Sequence, residues 1–251
     1  MTDRTPFTGT WRVVRFNWPL YAAALAVAVA SVGTLVVADA VLTRIAALGA
    51  LASALWFLGG SLFASHLVYD RSDLHRGRWL ARALPQSPQH IAICHCGYDE
   101  VSALVHDTLS PASLTLLDHY AEATMSEPSI RRARRLFPPA PGTLTAPHTA
   151  WPTADGAFDA VLGALAIHEL RSAADRAAWF SEARRCLTRD GRIVLVEHLR
   201  DVANFMAFGP GFVHFHSAAT WRRAWESVGL SCADSFRITP FVRVFVLRPH
   251  D

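Results

Sequence analysis

Two long apolar runs, 16–38 and 45–69, open the chain, separated only by a short polar break around Asp39 and Arg44. Each exceeds the roughly 20 residues that a helix needs to cross a hydrocarbon core of about 30 Å. So short a break predicts an antiparallel helical hairpin. From residue 90 the pattern changes to short apolar strands alternating with amphipathic helices. Strands are predicted at 91–94, 113–117 (ending at Asp118), 143–145, within 158–170, at 192–197, 232–238 and 242–247. Helices are predicted at 99–109, 122–136 and 175–187. One more, capped by Ser217 and ending at Gly229, carries Trp221, Trp225 and Val228 inward. Regular strand–helix alternation with a closing strand pair predicts a doubly wound α/β sandwich with helices on both faces. Such sheets bind ligands at the C-terminal ends of their strands. Those ends are 94–98, 118–120, 146–149, 166–170 and 197–204.

Charge adds an orientation. All 24 Lys+Arg residues are arginine, and the formal net charge is only +3, which gives no footprint for nucleic acid. Arg4, Arg12 and Arg15 precede the first span, and Arg71, Arg76, Arg78 and Arg82 follow the second. The turn between has Arg44 alone, beside Asp39. The positive-inside rule then places the N-terminus and the C-terminal domain in the cytoplasm, as a two-pass membrane protein. Trp18 and Tyr21 stand where interfacial anchors belong. His66, near an end, is the only ionisable residue inside either span, so the hairpin reads as an attachment and not as a transport path. Three parts are expected: a membrane anchor at 1–70, a juxtamembrane linker at 71–88 and a globular domain at 89–251. The linker reads either as a solvated connector or as an interfacial helix on anionic lipid. The four cysteines form no C-x-x-C pair, so reduced thiols are expected.

The stretch ADGAFDAVLGALAIHELRSAADRAAWFSEARRCLTRDGRIVLVEH, residues 154–198, holds the most specific pattern. It has an acidic-glycine turn, Phe158-Asp159-Ala160-Val161, an apolar strand running to His168, the helical Glu182-Ala183-Arg184-Arg185-Cys186-Leu187 and then Asp190-Gly191-Arg192. In order and spacing this resembles the second half of class I S-adenosylmethionine (SAM)-dependent methyltransferases. The resemblance extends over 88–249. It implies a Rossmann-like class I methyltransferase sandwich with a mostly parallel seven-stranded sheet, SAM as cofactor and methyl transfer as the reaction. The sequence departs from the family's glycine loop. With Gly97 on the middle glycine, Ile93 stands at the acid, His95 at the first glycine and Asp99 at the third. The family's adenine-contacting acid falls at Pro147.

The resemblance assigns cofactor contacts to Cys96, Gly97, Tyr98, Asp118, His119 and His148. Asp118, at a strand end, is expected to accept from both ribose hydroxyls, since two carboxylate oxygens match a vicinal diol. Asp159 is expected to stabilise its strand's start. His168, Glu169, Glu197, His198, Asn204, His214 and His216 all fall at or after strand ends. A histidine among His168, His198 and His214 is the candidate general base. His214 and His216, two apart, are expected on one face of an extended segment. Their spacing matches no standard metal motif, so no metal is expected. The aromatic, glycine-rich stretch 204–215 reads as a lid over an apolar acceptor pocket. The sequence therefore predicts a membrane-anchored SAM-dependent methyltransferase for a hydrophobic or lipid-like small molecule. The competing expectation is an inactive, methyltransferase-shaped scaffold at the membrane, which the altered glycine loop favours.

Overall fold

A computed structural model describes residues 5–84 and 86–250. Arg4, used above for orientation, lies outside the described residues. The chain begins with helices α1 (Thr8–Val37) and α2 (Val41–Ser65), packed as the expected hairpin. Both are long and apolar enough to cross a membrane, with mean hydropathies of 2.2 and 1.8. The predicted spans caught both but began late, because α1 opens with a polar, arginine-bearing turn that a hydropathy pattern leaves out. Helix α1 kinks at Asn17, whose φ is −115°, next to Pro19. Proline removes one backbone donor and clashes with the preceding turn. Helix α2 continues into a π-helical stretch, His66–Arg71. Asp70 there reaches across to cap α1: its carboxylate accepts from the backbone N–H groups of Gly9 (2.6 Å) and Thr10 (3.0 Å). Helix N-termini attract such a carboxylate.

Seven strands follow: β1 (His90–His95), β2 (Ser113–Asp118), β3 (Leu144–Thr145), β4 (Phe158–Ala164), β5 (Leu187–His198), β6 (Leu230–Thr239) and β7 (Val242–Pro249). They form one sheet in the order β3-β2-β1-β4-β5-β7-β6, parallel except for β7, which runs against both neighbours. The mostly parallel seven-stranded α/β sandwich is therefore as expected. Helices α3 (Arg78–Ala83), α4 (Ser102–Leu109), α5 (Pro128–Leu136), α6 (Ala173–Cys186), α7 (Val202–Phe208) and α8 (Ala218–Glu226) complete the chain.

Alternating strand residues divide the core in two. Ala92, Val161, Ile193 and Leu195 pack with Trp179, Phe180, Trp221 and Trp225 of α6 and α8. Ile91, Ile93, Leu162 and Val194 face the other way, against Leu80, Val105 and also Val68 from the end of the hairpin. Asp159 accepts from the backbone N–H groups of Gln89 and His90, the strand-start role expected of it.

Two elements differ from expectation. The segment after the hairpin is no solvated connector: Leu74, Trp79, Leu80 and Ala83 are buried against the sheet. Its arginines made it read as polar, but they alternate with the residues that pack. The helix predicted over 122–136 begins only at Pro128, which occupies the first helical turn. Proline is tolerated there and nowhere deeper in a helix. Ser217 caps α8 as predicted, its Oγ accepting from Thr220 N–H at 3.1 Å. Ser217→Ala should lower the unfolding free energy by about 1 kcal/mol, read from denaturant midpoints with the denaturant slope unchanged.

Candidate active site

A cavity of about 440 Å³ lies over the C-terminal ends of β1, β4 and β5. Its floor is Cys96, Tyr98, Leu165, Ala166, His168, Glu169 and His198. Its roof is the near half of the hairpin, with Arg12, Phe16, Tyr21, Phe57 and Ser61. Phe208, His214 and Phe215 close one side, so the stretch predicted as a lid does border the pocket, as α7 followed by a 3₁₀ turn at Gly209–His214. The hairpin is thus a wall of the site. A hydrophobicity pattern reports that the two helices are apolar; it does not reveal that the polar residues near their domain-side ends face the strand ends.

The candidate bases all reach this cavity but differ in character. His168 Nδ1 sits 2.7 Å from Oε2 of Glu197, a fully buried carboxylate. Glu197 Oε1 accepts from the backbone N–H groups of Ile167 and His168. Burial opposes the charged imidazole, but Glu197 and Glu169 together outweigh it and push the His168 pKa up to about 10. Burial likewise works against the Glu169 carboxylate, yet bonds from His168 and His214 hold it well below the usual range. His198 is the opposite case. Burial brings its pKa down to about 4, so it is neutral. Its Nδ1 faces two acceptors, Asn204 Oδ1 and Phe241 O, each at 3.1 Å, which puts the proton there. Its Nε2 lone pair faces Tyr69 Oη at 3.4 Å. His214 and His216 do not share a face. The 3₁₀ turn sends His214 to Glu169 at 3.1 Å, while His216 lies against Leu170 O and Arg176 in the core.

The cofactor candidates separate in the same way. Cys96 and Tyr98 line the cavity, and Arg12 donates to Tyr98 Oη at 3.1 Å. Gly97 has φ of 93°, the left-handed region that favours glycine, so the turn kept its one essential residue. Asp99 caps α4 by accepting from Val101 and Ser102 N–H. Asp118 is buried at the end of β2, as the ribose assignment requires, but its oxygens already have partners. Oδ1 accepts from Gly97 N–H and Tyr120 N–H at 3.0 Å each, and Oδ2 accepts from Arg134 of α5. The arginine run 131–135 is therefore not simply a solvated face; Arg132 also donates to Phe16 O. His119 and His148 do not reach the cavity. His119 is a core residue, accepting from Trp179 Nε1–H at 3.1 Å and stacked on Trp151. His148 pairs with Asp175 at 3.3 Å.

The residues present fit SAM. Tyr98, Glu100 and Arg12 line the cavity and have the polar groups a methionine end would need, and Asp118, which does not line it, has the carboxylate a ribose would need. Arg134 is a long side chain, 30% exposed, and it bonds Oδ2, not the Oδ1 that holds the two backbone N–H groups.

Comparison with known proteins agrees with this geometry. Residues 96–195 match a family model described as a methyltransferase domain. A SAM-dependent methyltransferase from Aquifex aeolicus is 11% identical with a TM-score of 0.53, over 70% of this chain and 90% of that one. A Pyrococcus horikoshii OT3 protein of known structure is 12% identical with a TM-score of 0.51, over 70% of this chain and 89% of that one. Geranyl diphosphate C-methyltransferase from Streptomyces coelicolor A3(2), solved with Mg²⁺, geranyl diphosphate and S-adenosyl-L-homocysteine, is 15% identical with a TM-score of 0.50, over 69% and 78%. No curated protein matches the sequence. Over residues 96–195 the chain matches a methyltransferase-domain model, and its fold is that of solved SAM-dependent methyltransferases.

Proposed function

We propose that this protein is a membrane-anchored methyltransferase that transfers the methyl group of SAM to a hydrophobic small molecule held between the sheet and the anchor. One observation carries the reading: the cavity over the strand ends is shared by the catalytic fold and by the two apolar helices. Val13, Phe16, Leu20, Phe57, Ile130 and Phe208 give it an apolar lining, and the histidines and Glu169 gather at one end. The far half of the hairpin exposes Leu25, Val29, Val32, Leu42, Ile45 and Leu48, as lipid-facing helices would. The arginines at both its ends favour a cytoplasmic domain by the positive-inside rule. An acceptor dissolved in the bilayer would then reach the reacting centre beside the headgroups without crossing water.

The chemistry asks for alignment of acceptor, methyl carbon and sulfonium, and positioning supplies most of the rate. In this arrangement the protein's own residues exclude water and manage one proton. His168 is charged at neutral pH and serves as a donor or an electrostatic partner. His198, neutral and with its Nε2 lone pair on the Tyr69 hydroxyl that lines the cavity, is the histidine placed to accept, through that hydroxyl, the proton that the acceptor loses.

The test is calorimetric titration of the full chain in detergent micelles with SAM, followed by incubation with methyl-labelled SAM and a membrane extract. Saturable binding, with label recovered in the organic phase, is expected. No binding at millimolar SAM would remove the enzyme reading and leave the scaffold.

A further inference from the structure

Three ligand-type side chains meet at the polar end of the cavity. Glu169 Oε1 lies 3.1 Å from His214 Nε2 and 3.4 Å from His168 Nε2. The three ligand atoms all fall within 4.8 Å of one another. Two ligands held about 2.1 Å from one ion stand about 3.0–3.4 Å apart when the angle between them runs from a right angle to tetrahedral. Both measured separations match, and the histidine pair, within 4.8 Å, would have to stand about 3.0–3.4 Å apart around an ion.

The surroundings are those of a ligand set. His168 Nδ1 is held at 2.7 Å by buried Glu197, which is in turn fixed by two backbone donors. A carboxylate behind a histidine fixes its ring and leaves Nε2 as the ligating atom. His214 Nδ1 has Glu127 Oε1 at 3.7 Å to take its proton, provided the Arg171 guanidinium, now 3.1 Å away, turns aside. All three residues line the cavity, so further positions on an ion would open into it.

We infer that His168, Glu169 and His214 form a divalent transition-metal site whose open positions face the acceptor cavity. Two imidazoles with one carboxylate favour Zn²⁺, Fe²⁺ or Mn²⁺ over Mg²⁺ or Ca²⁺, which prefer all-oxygen sets. The role that follows rests on the methyltransferase reading. An acceptor hydroxyl coordinated to the ion becomes acidic enough to lose its proton to a base as weak as His198 or to water. The oxygen then forms its bond to the methyl carbon as the carbon–sulfur bond breaks, and the sulfonium leaves as a thioether.

The experiment uses the untagged full chain in micelles, stripped with a chelator and titrated calorimetrically with Zn²⁺ and, separately, with Mn²⁺ in excess Mg²⁺. One equivalent is expected to bind, insensitive to Mg²⁺. His168→Ala and Glu169→Gln should each weaken binding at least 100-fold, and Glu197→Gln, behind the ligand, 10- to 100-fold. His214→Ala, at the half-exposed rim, tests the site even if a buried variant misfolds, and the exposed His106→Ala should change nothing. Failure to bind, or equal binding by the His168, Glu169 and His214 variants, overturns the site. SAM is titrated into the same stripped protein. SAM binding without metal binding removes the metal site and leaves the enzyme; metal binding without SAM binding removes the enzyme and leaves the site.

Discussion

Glu197→Ala should cost about 3–5 kcal/mol of stability, the range for removing one partner of a buried ion pair. Glu197 is 0% exposed and His168 11%, so the imidazole would keep only the weaker contact to Glu169 at 3.4 Å. The substitution also strips the acceptor from two buried backbone N–H groups, Ile167 and His168, each of which costs about 1–3 kcal/mol when unsatisfied. Glu197→Gln keeps an acceptor for those donors and should cost visibly less than alanine.

The pH dependence separates the charge from the shape. The His168 pKa is raised, to about 10 from an ordinary value near 6.5. A raised histidine pKa contributes stability that is fully present below the unfolded value and is lost as pH climbs through the folded one. The gap in melting temperature between wild type and Glu197→Gln should therefore be widest near pH 6 and shrink toward pH 10. A gap that stays constant over that range would assign Glu197 a role in packing and backbone bonding alone. Melting in metal-free buffer is essential, because an ion on His168 would replace the proton.

Local pattern carried the fold further than the site. The sheet was legible because each strand of the parallel core, such as 158–164, is buried on both faces and reads as a continuous apolar run between turn signals. The place of Asp118 at the end of β2 was legible from the apolar strand pattern. Its partner Arg134 was not, since a helix with four arginines gives no sign of which one turns inward. His119 and His148 misled for the converse reason. Both follow strand ends, but Trp151 and Trp179 fill the space beside β2 and β3, and His119 is stacked into that aromatic wall. His168 and Glu169 are adjacent in sequence, but His214 reaches them only through a 3₁₀ turn that a two-residue alternation cannot anticipate. Spacing along the chain therefore gave no sign of the three-residue cluster that the folded loop brings together.

The same comparison sets the terms for the cofactor. Asp118→Ala should weaken SAM binding by about 1–3 kcal/mol, roughly 5- to 150-fold, the scale for hydrogen bonds to a charged group. Arg134→Ala should act in the opposite direction. Arg134 holds Asp118 Oδ2 and lies over the Tyr120 ring at 4.7 Å, covering the place a ribose would take. A binding-competent state that is only a fraction of the population lowers the apparent affinity by that fraction. If the covered arrangement holds nine-tenths of the molecules, its removal tightens SAM about tenfold. The double variant decides between competition and contact. Once Asp118 is gone, Arg134 has no carboxylate to hold, so Arg134→Ala should give no further gain in the Asp118→Ala background. Such non-additivity is what neighbouring residues in one network produce. Were Arg134→Ala instead to weaken SAM in both backgrounds, the guanidinium would be a contact for the cofactor and not its competitor. An Asp118→Ala protein that binds SAM like wild type would remove the ribose assignment altogether, and with it the reason for Arg134 to matter.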